Sequence, residues 1–110
     1  MALPTRSIQA PAAVVMVRPH AFTPNPETAA DNSFQSSSPD IAAHTVSEIA
    51  RDEVTQAVGR LEAEGVRVHV FDDFGDNDTP DSVFPNNWFS THPGGHIAIY
   101  SMYSPNRRRE

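Results

Sequence analysis

The amino-acid sequence predicts an α+β fold built from one long helix and a few short strands. The β-branched apolar run at residues 12–17 predicts a buried strand. A helical repeat then covers residues 38–65, and strand-like alternation returns at 66–71. Because 110 residues suit one small domain, we expect residues 1–110 to belong to a single unit.

The first strand and the loop behind it form the opening segment of the chain. Pro19 ends the strand, and residues 20–37 are rich in proline, serine and asparagine. This composition predicts a long ordered loop. Loops of this length inside a compact domain are usually functional or disordered. The loop is therefore a place to look for binding residues.

The helix has start and stop signals at both ends. Ser38 can cap it, Pro39 suits the first helical position, and Asp40 favours the positive end of the dipole. Gly65 supplies the stop. The positions that recur at helical spacing are Ile41, Thr45, Ile49, Val54, Val58 and Leu61. They predict an amphipathic helix of about six turns.

Two further strand signals follow the helix. Val66, Val68 and Val70 alternate along one face, so this strand should lie parallel to the first through a right-handed crossover. Pro93-Gly94-Gly95 between two apolar stretches predicts a β-hairpin. These elements leave open sheet edges and apolar faces, which we expect further protein to cover.

Composition excludes several classes of protein. The formal net charge of −6 disfavours general binding to nucleic acid or to anionic membranes. No apolar run is long enough for a signal peptide core or a membrane span, so a cytoplasmic protein is expected. The chain has no cysteine, and His92 and His96 beside the hairpin turn lack further ligands. We therefore expect no metal and no other cofactor.

The stretch DSVFPNNWFS, residues 81–90, places two neighbouring carboxamides between a proline and a tryptophan. A carboxamide offers both donors and an acceptor, whereas a carboxylate only accepts and a guanidinium only donates. Asn86 and Asn87 therefore suit a neutral ureido or amide group better than a cation, and they bury no net charge. The alternative is that both residues form a turn before the hairpin.

The arginine run near the carboxyl end also has two interpretations. One of these arginines can hold a substrate carboxylate through two parallel hydrogen bonds. The alternative is a solvated basic segment.

Three separated motifs together resemble one superfamily. They are PDSVFPNNW with the hairpin behind it, RRRE about twenty residues later, and VRPHAFTPNPETAADNSFQ near the start. The combination resembles the guanidino-group-modifying, or amidinotransferase, superfamily with the pentein fold. The asparagines and the early motif are most similar to its arginine-deiminase-related, citrulline-hydrolase branch. The resemblance implies a partial α/β-propeller of about one and a half ββαβ-type modules.

The resemblance also implies roles for individual residues. One member of the superfamily is dimethylarginine dimethylaminohydrolase. Asp81 corresponds to an aspartate that contacts the substrate in that enzyme, and Asn86 and Asn87 correspond to a Glu-Asp pair that binds the guanidinium there. Arg107 falls on the arginine that holds the substrate α-carboxylate. Replacing two carboxylates by carboxamides favours citrulline or a related ureido compound over arginine. Further candidates in the early motif, with turn or capping roles as the alternative, are Asn25 and Asn32.

The mechanism implied by the superfamily uses a cysteine thiolate, a histidine and a supporting acid. This chain has no cysteine, so we expect an amino-terminal fragment that supplies substrate-binding residues without the nucleophile. Its partner would be a small citrulline-like amino acid. Assembly into a homo-oligomer is also compatible with the sequence. The alternative is a non-catalytic interaction module that pairs with a partner chain through its open sheet edges.

Overall fold

The computed structural model describes residues 10–28 and 43–110, and these contain one α-helix and four strands. The chain order is β1 (Ala13–Pro19), α1 (Ala43–Ala63), β2 (Arg67–Asp73), β3 (Phe89–His92) and β4 (His96–Ile99). Two single 3-10 turns, Pro85–Asn87 and Pro105–Arg107, complete the regular structure. The protein is thus a small mixed α/β structure with few strands, as predicted.

Strands β1 and β2 pair in parallel, which confirms the predicted strand–helix–strand unit. The register runs from Ala13 opposite Arg67 to Pro19 opposite Asp73, so both strands end at the same edge. The chain leaves that edge after each strand. Everything that follows β1 and β2 directly therefore starts from one side of the molecule.

Helix α1 ends in the way that Gly65 predicts. This glycine has a φ of 85°, and its N–H donates to the Glu62 carbonyl at 3.0 Å. The N–H of Val66 then reaches back to the Leu61 carbonyl at 3.0 Å. This pair of bonds is a Schellman motif, which satisfies the last helical carbonyls. The predicted cap residues at 38–40 and Ile41 lie outside the described residues.

The apolar face of α1 packs on both parallel strands. Val54 is buried at 8% exposure, whereas Ile49 on the same predicted face is 46% exposed. On the strands, half-buried Val14 and Met16 alternate with the more exposed Ala13 and Val15. The period-2 pattern of a strand is present. The apolar stripe of the helix is only partly covered.

Strands β3 and β4 form the predicted antiparallel hairpin, with Phe89 opposite Ile99 and His92 opposite His96. Gly94 and Gly95 have φ values of 86° and 79° in its turn, a conformation that glycine adopts without strain. Among the described residues the strands form two separate two-stranded sheets. The propeller arrangement therefore stays a prediction. In the same part of the chain, no helix is long and apolar enough to cross a membrane.

Candidate functional site

The candidate site lies beyond the carboxyl ends of β1 and β2. In open sheets with parallel strands, ligands commonly bind in the crevice at this edge. The loop after β1 brings Asn25, the loop after β2 brings Asp81, and the final 3-10 turn brings Arg107. We call the set of Asn25, Asp81, Asn106, Arg107 and Glu110 the polar cluster.

Asn25 lies at the centre of the polar cluster and is 0% exposed. Its Oδ1 accepts the backbone N–H of Glu27 at 3.0 Å, which closes an Asx turn between two prolines. Its Nδ2 donates to Asp81 Oδ2 at 2.8 Å. Burying an amide completely costs free energy unless the amide is hydrogen-bonded, and the Asn25 amide is hydrogen-bonded.

Asn25 and Asn106 form a reciprocal pair of carboxamides. Asn25 Nδ2 donates to Asn106 Oδ1 at 3.0 Å, and Asn106 Nδ2 donates to Asn25 Oδ1 at 2.8 Å. The backbone N–H of Asn106 also donates to Glu27 Oε1 at 3.4 Å. The loop after β1 is thereby joined to the last turn of the chain, 81 residues later.

Arg107 is the buried cation of the polar cluster, at 7% exposure. Its Nε and Nη2 donate to the two carboxylate oxygens of Glu110 at 3.0 and 2.9 Å, a bidentate pair. Nη2 also reaches the carbonyls of Asp81 and Phe84 at 3.4 and 3.2 Å. Nη1 donates to Asn87 Oδ1 at 2.8 Å. The forked side of the guanidinium therefore holds a carboxylate of the protein itself.

The bond from Arg107 fixes which end of the Asn87 amide faces outward. Since a guanidinium only donates, it must meet the amide oxygen of Asn87 and not its nitrogen. Asn87 is exposed, and its Nδ2 finds no acceptor among the residues that the structure describes. Asn87 thus presents two N–H donors to solvent at the rim of the polar cluster.

The structure brings four of the six predicted site residues together and separates a fifth from them. Asn25, Asp81, Asn87 and Arg107 are linked by direct hydrogen bonds or ion pairs. Asn86 is exposed and lines a different cavity, between β1 and β3. Asn32, the sixth, lies outside the described residues. Both adjacent asparagines also belong to a 3-10 turn, so the turn interpretation of this pair is correct as well.

Asp73, the last residue of β2, holds the loop that carries Asp81. Its Oδ1 accepts the N–H of Gly75 at 2.9 Å, and its Oδ2 accepts the hydroxyls of Thr79, at 2.9 Å, and Ser82. Burial raises the pKa of Asp73, but these three hydrogen bonds outweigh that effect and leave the pKa below its ordinary value. Asp73 is therefore a carboxylate at neutral pH.

The neighbouring Asp72 belongs to a separate charged group. Arg18 donates to it at 2.6 and 3.1 Å, and His20 Nε2 lies 2.9 Å from Asp72 Oδ1. The hydrogen bonds from Arg18 and then His20 lower the pKa of Asp72 to about 2. The His20 ring stacks on Phe74 with the ring centres 4.6 Å apart. Thus adjacent aspartates serve two different networks.

A small cavity of about 210 Å³ lies beside the polar cluster. Its walls include Val17 and Phe71 from the parallel strands, Trp88, and the carboxylates of Asp73 and Glu110. Trp88 is half-buried at this wall. The cavity gives the carboxyl edge of the sheet a concave surface with both apolar and charged walls.

Sequence reasoning missed two members of the polar cluster. Asn106 stands directly before the arginine run, within the 3-10 turn Pro105–Arg107. Glu110 follows Arg107 by three residues, and its N–H donates to the Arg107 carbonyl at 3.2 Å. Within the described residues no group of three or more histidine or acidic side chains could hold a metal ion. The site is built for hydrogen bonding.

Comparison with known families identifies the group to which this arrangement belongs. The model of the eukaryotic N,N-dimethylarginine dimethylhydrolase family matches residues 18–110, a range that contains the whole polar cluster. Searches of curated proteins and of solved structures gave no match. The match agrees with the resemblance to the guanidino-group-modifying superfamily, whose substrates are small guanidino amino acids. Since the match covers most of its length, the chain belongs to the N,N-dimethylarginine dimethylhydrolase family of hydrolases.

Proposed function

We propose that this chain supplies the substrate-recognition residues of a hydrolase that cleaves a non-peptide C–N bond in a ureido amino acid such as citrulline. Family membership supports the broader class, a hydrolase of small guanidino compounds. The narrower choice of a ureido substrate rests on the chemistry of the polar cluster and its rim. The proposal extends to the arginine-deiminase-related branch of the superfamily and to its propeller fold.

The orientation of the Asn87 amide carries the proposal. Arg107 Nη1 binds the amide oxygen and so turns the NH2 group of Asn87 outward, which makes its two N–H donors the groups that face a ligand. A ureido group has a carbonyl oxygen that accepts such donors. A guanidinium has none, because all of its hydrogen-bonding groups donate. Asn87 in this orientation therefore favours citrulline over arginine or dimethylarginine.

The charges of the polar cluster bear on the same choice. One guanidinium, that of Arg107, is paired with Glu110 and lies 3.9 Å from Asp81 Oδ2, so the polar cluster carries a formal charge of −1. Both carboxylates are buried and already bonded within the protein. At the rim, Asn86 and Asn87 add no carboxylate that could offset the cost of burying a cationic ligand. A neutral ureido group meets no such cost.

The proposed contact between Arg107 and a substrate α-carboxylate takes a particular form. The bidentate side of the guanidinium is occupied by Glu110. Nη1 donates to Asn87 and, among the described residues, to no second acceptor. A substrate carboxylate would therefore approach on the Nη1 side, next to Asn87. The ureido group at Asn87 and the α-carboxylate at Nη1 would then both lie close to Arg107.

The chemical step we propose is cysteine covalent catalysis. A thiolate attacks the ureido carbon, the C–N bond breaks as the amine leaves with a proton from a general acid, and water then cleaves the new C–S bond and restores the thiolate. These 110 residues contain no cysteine, so the thiolate would come from other polypeptide. The residues described above bind and orient the substrate. We propose no catalytic residue within this chain.

Isothermal titration calorimetry on the purified chain tests the proposal with two matched variants. Wild type should bind L-citrulline more tightly than L-arginine or dimethylarginine. Asn87→Asp should weaken citrulline binding by about tenfold, the loss of one or two hydrogen bonds, and improve binding of the cations. Asn86→Asp makes the same charge change in the neighbouring cavity and should leave both affinities unchanged. Equal effects of the two variants, or no preference in wild type, would contradict the proposal.

A second function is favoured by a separate observation. Ile97, Ile99 and Tyr103 on and after the hairpin are 64%, 75% and 83% exposed. Exposed apolar residues beside an unpaired strand edge favour pairing with another chain. An interaction module, homo-oligomeric or with a partner, is therefore the alternative. Sedimentation of the purified chain at several concentrations separates the two, because a recognition fragment without such pairing stays monomeric.

A further inference from the structure

Asp73 occupies a position that the proposed recognition chemistry does not use. It ends β2 in register with Pro19, and its backbone carbonyl accepts the N–H of His20 at 2.8 Å. The main chain of Asp73 is therefore fixed to the end of β1 by the sheet. Its side chain points to a different target, the turn that begins at Thr79.

That turn is held by Asp73 from one side and by the polar cluster from the other. Asp73 Oδ2 accepts from both Thr79 and Ser82, the two hydroxyls that bracket Asp81 in the sequence. Ser82 N–H donates to the Thr79 carbonyl at 3.3 Å, which closes the turn itself. On the opposite side Asp81 meets Arg107 through its carboxylate and its carbonyl. Thr79, Asp81 and Ser82 are all at most 9% exposed.

We propose that Asp73 is a positioning residue, whose carboxylate fixes the turn so that Asp81 meets Asn25 and Arg107. One carboxylate accepts three hydrogen bonds, which are stronger than bonds between neutral groups. The turn has no regular secondary structure to hold it otherwise. The end of β2 is thereby connected to the turn that carries Asp81 through this carboxylate.

Asp72 supplies the contrast that makes this role specific. Its carboxylate is bonded to Arg18 and His20 and, among the described residues, makes no hydrogen bond with the turn. The two aspartates are neighbours on one strand, so their side chains point to opposite faces. Removal of either carboxylate deletes the same group from the same strand. Only Asp73 should affect Asp81.

Hydrogen exchange of the buried side-chain amides of Asn25 and Asn106 tests the role by NMR. Asp73→Ala should lower their protection by about tenfold, the effect of losing one charged hydrogen-bond acceptor, with the circular dichroism of the helix retained. Asp73→Asn keeps one acceptor oxygen and should restore part of the protection. Asp72→Ala should leave the protection unchanged. Unchanged protection in Asp73→Ala, or equal loss in both alanine variants, overturns the inference.

A milder variant keeps the inference testable if Asp73→Ala does not fold. Ser82→Ala deletes one of the two hydroxyl donors and should lower the same protection by roughly threefold. No change in Ser82→Ala would count against Asp73 as the holder of the turn. An effect of Asp73 on ligand binding rests on the proposed function, and calorimetry with citrulline measures that effect separately. Loss of amide protection in Asp73→Ala, in a chain that does not bind citrulline, would reject the function and keep the positioning role.

Discussion

The polar cluster buries polar side chains, whereas the hairpin exposes apolar ones. In the polar cluster, Asn25 is 0% exposed and Arg107 7% exposed, and both are fully hydrogen-bonded. On the hairpin, Ile97 and Ile99 are more than half exposed. Val54 in the helix is the single buried hydrophobic residue among those that the structure describes. Proteins usually bury apolar residues and expose polar ones, and both of these regions do the opposite.

This contrast shows what each region contributes. Hydrogen bonds are directional, so a buried network fixes side-chain positions more narrowly than apolar contact does. This fixed geometry suits the role in recognition that we propose for the polar cluster. The hairpin offers apolar area without a fixed geometry, which suits covering by other protein. Removing charge from the polar cluster should therefore lower the stability of the chain, whereas removing apolar area from the hairpin should mainly reduce association.

The largest expected effect comes from breaking the polar cluster at its cation. Arg107→Met should destabilise the chain by about 3–5 kcal/mol, because Glu110 and Asp81 are left buried without a partner charge. Urea unfolding followed by circular dichroism measures this change. The control is Arg109→Met, since Arg109 is half-exposed and pairs with exposed Asp78 at 3.4 Å. That variant should change stability by less than about 0.5 kcal/mol, and equal effects would contradict the contrast.

A glycine beside the site gives the next largest effect. Gly75 has a φ of 91°, and a Cβ added there would lie 2.7 Å from Ala21 Cβ. Gly75→Ala should therefore destabilise the chain by about 2 kcal/mol or more, from strain and close contact together. Gly59 lies within α1, and a Cβ there meets nothing within 4 Å. Gly59→Ala should stabilise by about 0.5–1 kcal/mol, so thermal melts of the two variants should move in opposite directions.

Polar substitution on the hairpin should affect association more than stability. Ile99→Thr keeps a β-branched side chain and removes apolar area from a residue that is 75% exposed. The free energy of unfolding should change by less than about 0.5 kcal/mol. Any concentration-dependent association seen by sedimentation should decrease. A large loss of stability in this variant would show that Ile99 is packed in solution.

The smallest expected effect is a dependence of stability on pH from Asp72. Its pKa falls from 3.8 to about 2 on folding, through hydrogen bonds from Arg18 and His20. A depressed folded pKa stabilises the protein above the unfolded value, and this contribution is lost as the pH falls from about 4 towards 2. Urea midpoints of wild type and Asp72→Asn should therefore converge over this range. A constant difference down to pH 2 would contradict the assignment.

The strand–helix–strand unit and the hairpin could be predicted because their signals are local. Val14 to Val17 and the glycine after α1 specify their conformations through neighbours in the sequence. The 3-10 form of the turn at Pro85–Asn87, with β3 beginning only at Phe89, is revealed by the structure alone. Short turns of this kind leave a weak pattern in the sequence.

Partners distant in sequence were the part that local signals could not supply. Motif matching proposed Asn25, Asp81, Asn87 and Arg107 separately, and the structure joins them. It could not separate Asn86 from Asn87, because adjacent residues share every local feature. Their difference arises only when Arg107, twenty positions later, selects one amide. Contacts of long sequence separation decide the chemistry of this site.

The most direct test of the central claim follows the side-chain amides of Asn86 and Asn87 by NMR during titration with citrulline. The account predicts that the Asn87 amide resonances shift and saturate, and that those of Asn86 do not move. L-arginine shares the α-carboxylate but offers no acceptor in its guanidinium, so it should shift Asn87 less than citrulline does. Equal movement of both asparagines, or a stronger response of Asn87 to arginine than to citrulline, would contradict the claim.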